Sequence, residues 1–170
     1  MIPPLYVEWQ HKALSIFLQK KALYGESWRE LSLPSFTDLL YIKASRIRTL
    51  LQGDSPSATG ESPTADWLAL VNYAALALAK LRDLEPQTAL PQLYEEAQAL
   101  LEKKNADYGD AWQHLRPLAF IEFILMKLAR IRQMDSNPQS HALAITDNLF
   151  DVVNYALLYL SRYGDPLAAP

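Results

Sequence analysis

A chain of 170 residues is one ordinary domain or two very small ones, and units of about 80 residues bury too thin a core to stand easily alone. Half of the residues are apolar and 21% are charged, which excludes a disordered chain. The net charge of -3 argues against general nucleic-acid binding, and the lack of cysteine excludes disulfides, thiolate metal sites and a cysteine nucleophile.

The N-terminal segment MIPPLYVEWQHK carries Glu8 and no long apolar stretch, so it does not read as a secretory signal. Apolar residues at Leu5, Trp9, Ala13, Ile16, Phe17 and Ala22 predict an amphipathic helix over 5–22, opened by Pro3 and Pro4 and ended by Gly25. Pro34 and Ser35 predict the start of a second helix over 36–51, with Ser35 as N-cap and Asp38 three residues on. Residues 53–63, GDSPSATGESP, are a loop by composition. A third helix over 67–82, capped by Thr64 or Asp66, is apolar nearly all round and belongs in the middle of a bundle. Its greasy run stops short of the roughly 18 residues that cross a membrane, and a cytoplasmic protein is expected. Residues 84–91, bounded by prolines, form a joint too short for a free linker.

The second half repeats the plan: a helix over 92–104, a DYGDAW turn, a helix over 120–134, a loop over 135–140, and a helix over 144–163 closed by Gly164, Asp165 and Pro166. The repetition is literal. KKNADYGDAW at 103–112 answers KKALYGESW at 20–28, and a constant offset of 84 makes 11 of the 31 positions from Lys20 to Leu50 identical. The likeness resumes at an offset of 82, where Val71, Asn72, Tyr73 and Ala74 match Val153, Asn154, Tyr155 and Ala156. No stretch alternates with period two over a strand's length. The expected fold is therefore all-α: two three-helix repeats, 1–84 and 91–164, sharing one core about a pseudo-two-fold axis, with the third helices face to face.

Four sets of side chains bear on chemistry. Lys43, Arg46 and Arg48 recur as Lys127, Arg130 and Arg132; a lysine and an arginine three apart on a helix can hold a phosphate, or can pair with acids of a neighbouring helix. Asp107, Asp110, Glu122, Asp147 and Asp151 make the second repeat richer in acid, and they either bind Mg²⁺ or balance the basic residues. The first repeat has Leu23 in place of Asp107 and Ala69 in place of Asp151. Asn72 and Asn154 lie in apolar helices and need partners; pairing with each other would fix helix register. Tyr24 with Trp28, and Tyr108 with Trp112, bracket a glycine turn and either sandwich a nucleobase or plug the bundle, while Tyr73 and Tyr155 are base-stacking or core residues. His11, His114 and His141 have no metal-ligand spacing, and no Ser-His-Asp set or phosphate loop is present.

The combined pattern KK-x-x-x-YG-x-x-W, K-x-x-RIR and D-x-x-NYA resembles the nucleotide modification associated domain 1 family, a bacterial and phage domain of unknown function, here present twice. The family pattern falls on Lys104, Asp107, Tyr108, Gly109, Trp112, Lys127, Arg130, Asp151, Asn154 and Tyr155. In the first repeat it falls on Lys20, Tyr24, Gly25, Trp28, Lys43, Arg46, Asn72 and Tyr73, without the acid. A looser likeness is to MazG-type all-α NTP pyrophosphohydrolases, whose paired acidic motifs are only approximated by Asp107 with Asp110 and Asp147 with Asp151. The resemblance implies a nucleotide or small phosphorylated ligand, with Lys20, Lys43, Arg46, Lys104, Lys127 and Arg130 on its phosphate. Activity would be either Mg²⁺-dependent hydrolysis or non-catalytic sensing and protein interaction, in a monomer or loose homodimer.

Overall fold

The computed structural model describes residues 2–53, 60 and 62–167. Among them lie α1 (Tyr6–Tyr24), α2 (Leu33–Gln52), α3 (Pro63–Leu81), α4 (Pro86–Tyr108), α5 (Pro117–Arg132) and α6 (Ala142–Tyr163), with three 3-10 turns and no strand. The all-α bundle expected from the repeats is the fold found. Of the expected 53–63 loop, residues 54–59 and 61 lie outside the described residues.

Prolines account for most differences at the helix ends. A proline has φ preset for a helix and lacks the N–H that a first turn leaves unbonded anyway, so it draws the start toward itself. Helix α2 starts at Leu33 with Pro34 in its first turn; Ser32 is the cap, its Oγ accepting from the Ser35 amide at 3.3 Å. Ser35 is thus the donor to the cap and not the cap itself. Helix α3 starts at Pro63 and is capped by Ser62, which accepts from the Thr64 amide, so neither Thr64 nor Asp66 is the cap expected of them. Helix α4 starts at Pro86 and runs through Pro91, which shrinks the joint between the repeats to residues 82–85. Pro91 falls in the second turn, where it costs one backbone hydrogen bond.

The repeats end their first helices identically. Gly25 has φ 65° and ψ −143°, Gly109 has φ 61° and ψ −143°, and each is followed by a 3-10 turn, Ser27–Glu30 or Ala111–His114. That backbone conformation is open to glycine alone at little cost.

Helices α3 and α6 form the centre and have the most extensive mutual contact. Trp67 stacks on Tyr159 there, ring centroids 3.8 Å apart and planes 10° apart. Helices α2 and α5 pack against each other, while α1 leans on α6 and α4 on α3. Each outer helix also packs on the central helix of its own repeat, so the contacts of the two repeats match in pairs. All six helices feed one continuous cluster of buried apolar side chains, in which each fully buried Leu, Ile or Phe stabilises by about 1.5–3 kcal/mol.

After α6 the chain is held by contacts that fix the start of α3. A Cβ on Gly164 would lie 2.6 Å from the Trp9 ring, so only glycine lets the chain pass. The Asp165 carboxylate then accepts from Ser62 Oγ at 2.9 Å and Thr64 Oγ1 at 2.7 Å, bonds that hold its pKa below the ordinary value. No helix among the described residues is long and apolar enough to cross a membrane.

Candidate functional site: two related pockets

Each glycine turn forms one wall of a pocket, and the two pockets correspond residue by residue. The first is lined by Lys20, Tyr24, Gly25, Trp28, Ala69, Asn72 and Tyr73, with a volume of about 470 Å³. The second is lined by Lys104, Tyr108, Gly109, Trp112, Asp151, Asn154 and Tyr155, at about 440 Å³. Every one of these seven positions pairs at the offset of the duplication. Both volumes fall in the range of small-molecule sites, about 300–1,000 Å³.

Helix geometry explains the convergence. The last turn of α1 or α4 supplies the lysine and tyrosine, the 3-10 turn the tryptophan, and one face of α3 or α6 the residues at 69, 72, 73 and 151, 154, 155, spaced three and four apart. Tyr24 and Tyr108 stand at the mouths with 70% and 76% of their surface exposed, an arrangement that apolar packing alone does not favour. Trp28 is half-buried, its ring centroid 6.3 Å from that of Phe17 and 4.7 Å from the Arg29 guanidinium. Tyr73 and Tyr155 are half-buried against Phe36 and Phe123. Burial, and secondarily the charge of Asp151, raise the pKa of Tyr155. The indole N–H groups of Trp28 and Trp112 have no acceptor, but neither have those of Trp9 and Trp67 in the core, so this is no mark of the pockets.

Asn72 and Asn154 form the floors and do not bond each other. Asn72 Nδ2 donates to the Ala13 carbonyl at 2.9 Å and its Oδ1 accepts from the Tyr94 hydroxyl. Asn154 Nδ2 donates to the Ala97 carbonyl at 3.0 Å and its Oδ1 accepts from the Tyr6 hydroxyl at 2.5 Å. Each amide therefore holds its own repeat's first helix and is gripped by a tyrosine of the other repeat. Burial pushes both tyrosine hydroxyls well above their ordinary pKa. Neither tyrosine stands out in the sequence, because the two sit one helical turn apart in the alignment of the repeats.

The pockets differ in charge. In the second, Asp151 accepts from Lys104 through one oxygen and lies 3.0 Å from Lys127 Nζ through the other. In the first, Ala69 stands at that place and the acid sits one turn earlier on α3, as Asp66. Asp66, 4% exposed, pairs with Arg46 and lies 3.6 Å from Lys43, drawing Lys43 out of the pocket that its counterpart Lys127 lines. The first pocket gains Lys21 in place of Asn105; Lys21 bonds Gln87 and lies 3.5 Å from Glu26. Arg29 foremost, and Lys21 less, depress the Glu26 pKa.

The expected lysine and arginine fork is not assembled in either pocket. Arg46 faces Asp66, and Arg130 lies exposed beside Met126. The second repeat's arginine lacks the Asp66 equivalent, since position 148 is asparagine. Arg132 sits over Tyr41 at 4.6 Å and pairs with Asp38 at 3.2 Å, away from both sites. Of the acids expected to share Mg²⁺, Asp107, Asp110, Glu122 and Asp147 are exposed, and Asp151 is engaged by two lysines. No group of three or more His, Asp or Glu side chains that could hold a metal forms among the described residues.

The model of the nucleotide modification associated domain 1 family matches residues 20–81 and again residues 104–162. The chain belongs to that family. The two matches begin at Lys20 and Lys104 and take in each pocket's lysine, aromatic turn and asparagine, so the family domain is the pocket-bearing unit. No curated protein and no solved structure matches the chain, and the likeness to pyrophosphohydrolases has no support among them.

Proposed function

We propose that this member of the family is a nucleotide-binding protein whose ligands occupy the pockets beside the two glycine turns. The supporting observation is the retention in both repeats of an exposed tyrosine and a tryptophan around a lysine-bearing cleft of nucleotide size. An aromatic ring held at a pocket mouth offers a stacking surface to a base, and a lysine one turn away offers a point charge to phosphate. The family's description, which associates it with nucleotide modification, agrees in ligand class.

Binding without hydrolysis is the better-supported form of this reading. Mg²⁺ in phosphoanhydride hydrolysis is held by carboxylates together with substrate phosphates, and here no group of three or more metal-ligating side chains forms among the described residues while Asp151 is engaged by two lysines. A sensing or carrier role within nucleotide metabolism or modification is consistent with this. Calorimetric titration and thermal shift with nucleoside mono-, di- and triphosphates, alongside assay of phosphate and pyrophosphate release in Mg²⁺, test it. Binding with no turnover is expected; the absence of any binding would overturn the proposal, and turnover would overturn the non-catalytic form.

A further inference from the structure

Resting on the nucleotide reading above, we infer that the repeats have divided their ligands: the first pocket takes the phosphate-bearing nucleotide, and the second disfavours it because Asp151 already fills the phosphate position. In the second repeat a carboxylate sits between Lys104 and Lys127, each lysine reaching a different oxygen. Phosphate and carboxylate oxygens make the same demand on an ammonium group, so Asp151 marks where a ligand anion belongs.

At the matching place in the first repeat Ala69 offers a methyl group, and the counterpart of Lys104 is Lys20, exposed and without an ion-pair partner among the described residues. Lys21 adds a second cation in place of Asn105, opposed only by Glu26 at 3.5 Å from outside the lining. The Lys43 charge is balanced apart from the pocket, together with Arg46, by Asp66. The first pocket therefore keeps room at the anion position, while in the second Asp151 occupies that position and offsets one of the two lysine charges, which fits a ligand without charge there, such as a nucleoside.

The test is a charge exchange, read by calorimetric titration of the whole chain with the four 2′-deoxynucleoside 5′-monophosphates and the matching nucleosides. Wild type should bind monophosphate at one site per chain. Ala69→Asp should weaken that site at least roughly tenfold, the effect of a like charge at the anion's place, while the isosteric neutral Ala69→Asn retains it. Asp151→Asn should raise monophosphate stoichiometry from one to two. If Ala69→Asp does not fold, Lys20→Met, a change on an exposed side chain, should give the loss. Two equivalent monophosphate sites in wild type, equal affinity for monophosphates and nucleosides, or indifference to Ala69→Asp would each overturn the division while leaving nucleotide binding intact. Failure of both ligand classes to bind would overturn both.

Discussion

The Tyr94 hydroxyl, contributed by the second repeat, donates to Asn72 in the floor of the first repeat's pocket. Its counterpart runs the other way, from Tyr6 to Asn154. Both bonds are buried, so the two sites and the seam between the repeats depend on the same pair of asparagines. Tyr94→Phe leaves Asn72 Oδ1 without its donor and should destabilise by about 1–3 kcal/mol. For a chain of this size that lowers the melting temperature by roughly 2–4 °C per kcal/mol, measurable by calorimetry. Tyr6→Phe should do the same through Asn154. No change in either variant would mean that these bonds contribute nothing net.

Gly25 and Gly109 close α1 and α4 with positive φ and open space around the position a Cβ would take. Gly25→Ala and Gly109→Ala should therefore cost about 1–3 kcal/mol through backbone strain and not through collision. The aromatic turn would shift as it relaxes, so ligand binding at the altered pocket should weaken as well. Denaturant unfolding and titration of the same sample separate the two effects.

Asp66 is almost fully buried and serves Lys43 and Arg46 together. Asp66→Asn should destabilise by about 1.5–3 kcal/mol, the usual worth of a hydrogen bond to a charged partner, moderated because both cations keep some solvent. Freed of Asp66, Lys43 becomes available to the first pocket, so monophosphate affinity there should rise or hold while stability falls. A parallel loss of both would place Asp66 in the binding site itself.

Acid weakens the fold through carboxylates held below their ordinary pKa. Glu96 is depressed chiefly by its hydrogen bonds from Arg82, and Asp165 by those from Thr64 and Ser62. Such groups stabilise fully above their unfolded pKa, and the contribution is lost as pH falls through the lower folded value, here below roughly pH 4. Arg82→Gln should flatten that acid limb by no more than about 1 kcal/mol, since the pair is partly exposed and screened by solvent. Melting temperature measured from pH 6 down to pH 2 in both proteins checks the sign.

The fold was legible because the duplication doubled every signal: two matching turns, two apolar third helices and two asparagines at one offset leave few other topologies. Helix starts differ where proline opens a helix: Pro34 lies within the first turn of α2 and not just before it, and Pro86, which reads as part of the joint, is the first residue of α4. The sites were legible in part. Lys104, Tyr108, Trp112, Asp151 and Asn154 do converge, but Lys127 and Arg130 separate although they are only three residues apart. Which cation enters a pocket is decided by where the acid stands on the opposing helix. The alternative of Asp66 or Asp151 is a tertiary relation that spacing along one helix does not encode. The partners of Asn72 and Asn154 were hidden for the same reason: they come from the other repeat.

The central claim, that the clefts beside the glycine turns receive nucleotide, is tested most directly by indole fluorescence during titration with 2′-deoxynucleoside 5′-monophosphates. Wild type, Trp28→Phe and Trp112→Phe are to be compared under the same conditions. The account predicts a saturable signal that Trp28→Phe abolishes and Trp112→Phe largely preserves, because the first pocket is the one with room for phosphate. A signal that survives the loss of each tryptophan in turn, or no saturable response with any of the four nucleotides, would contradict it.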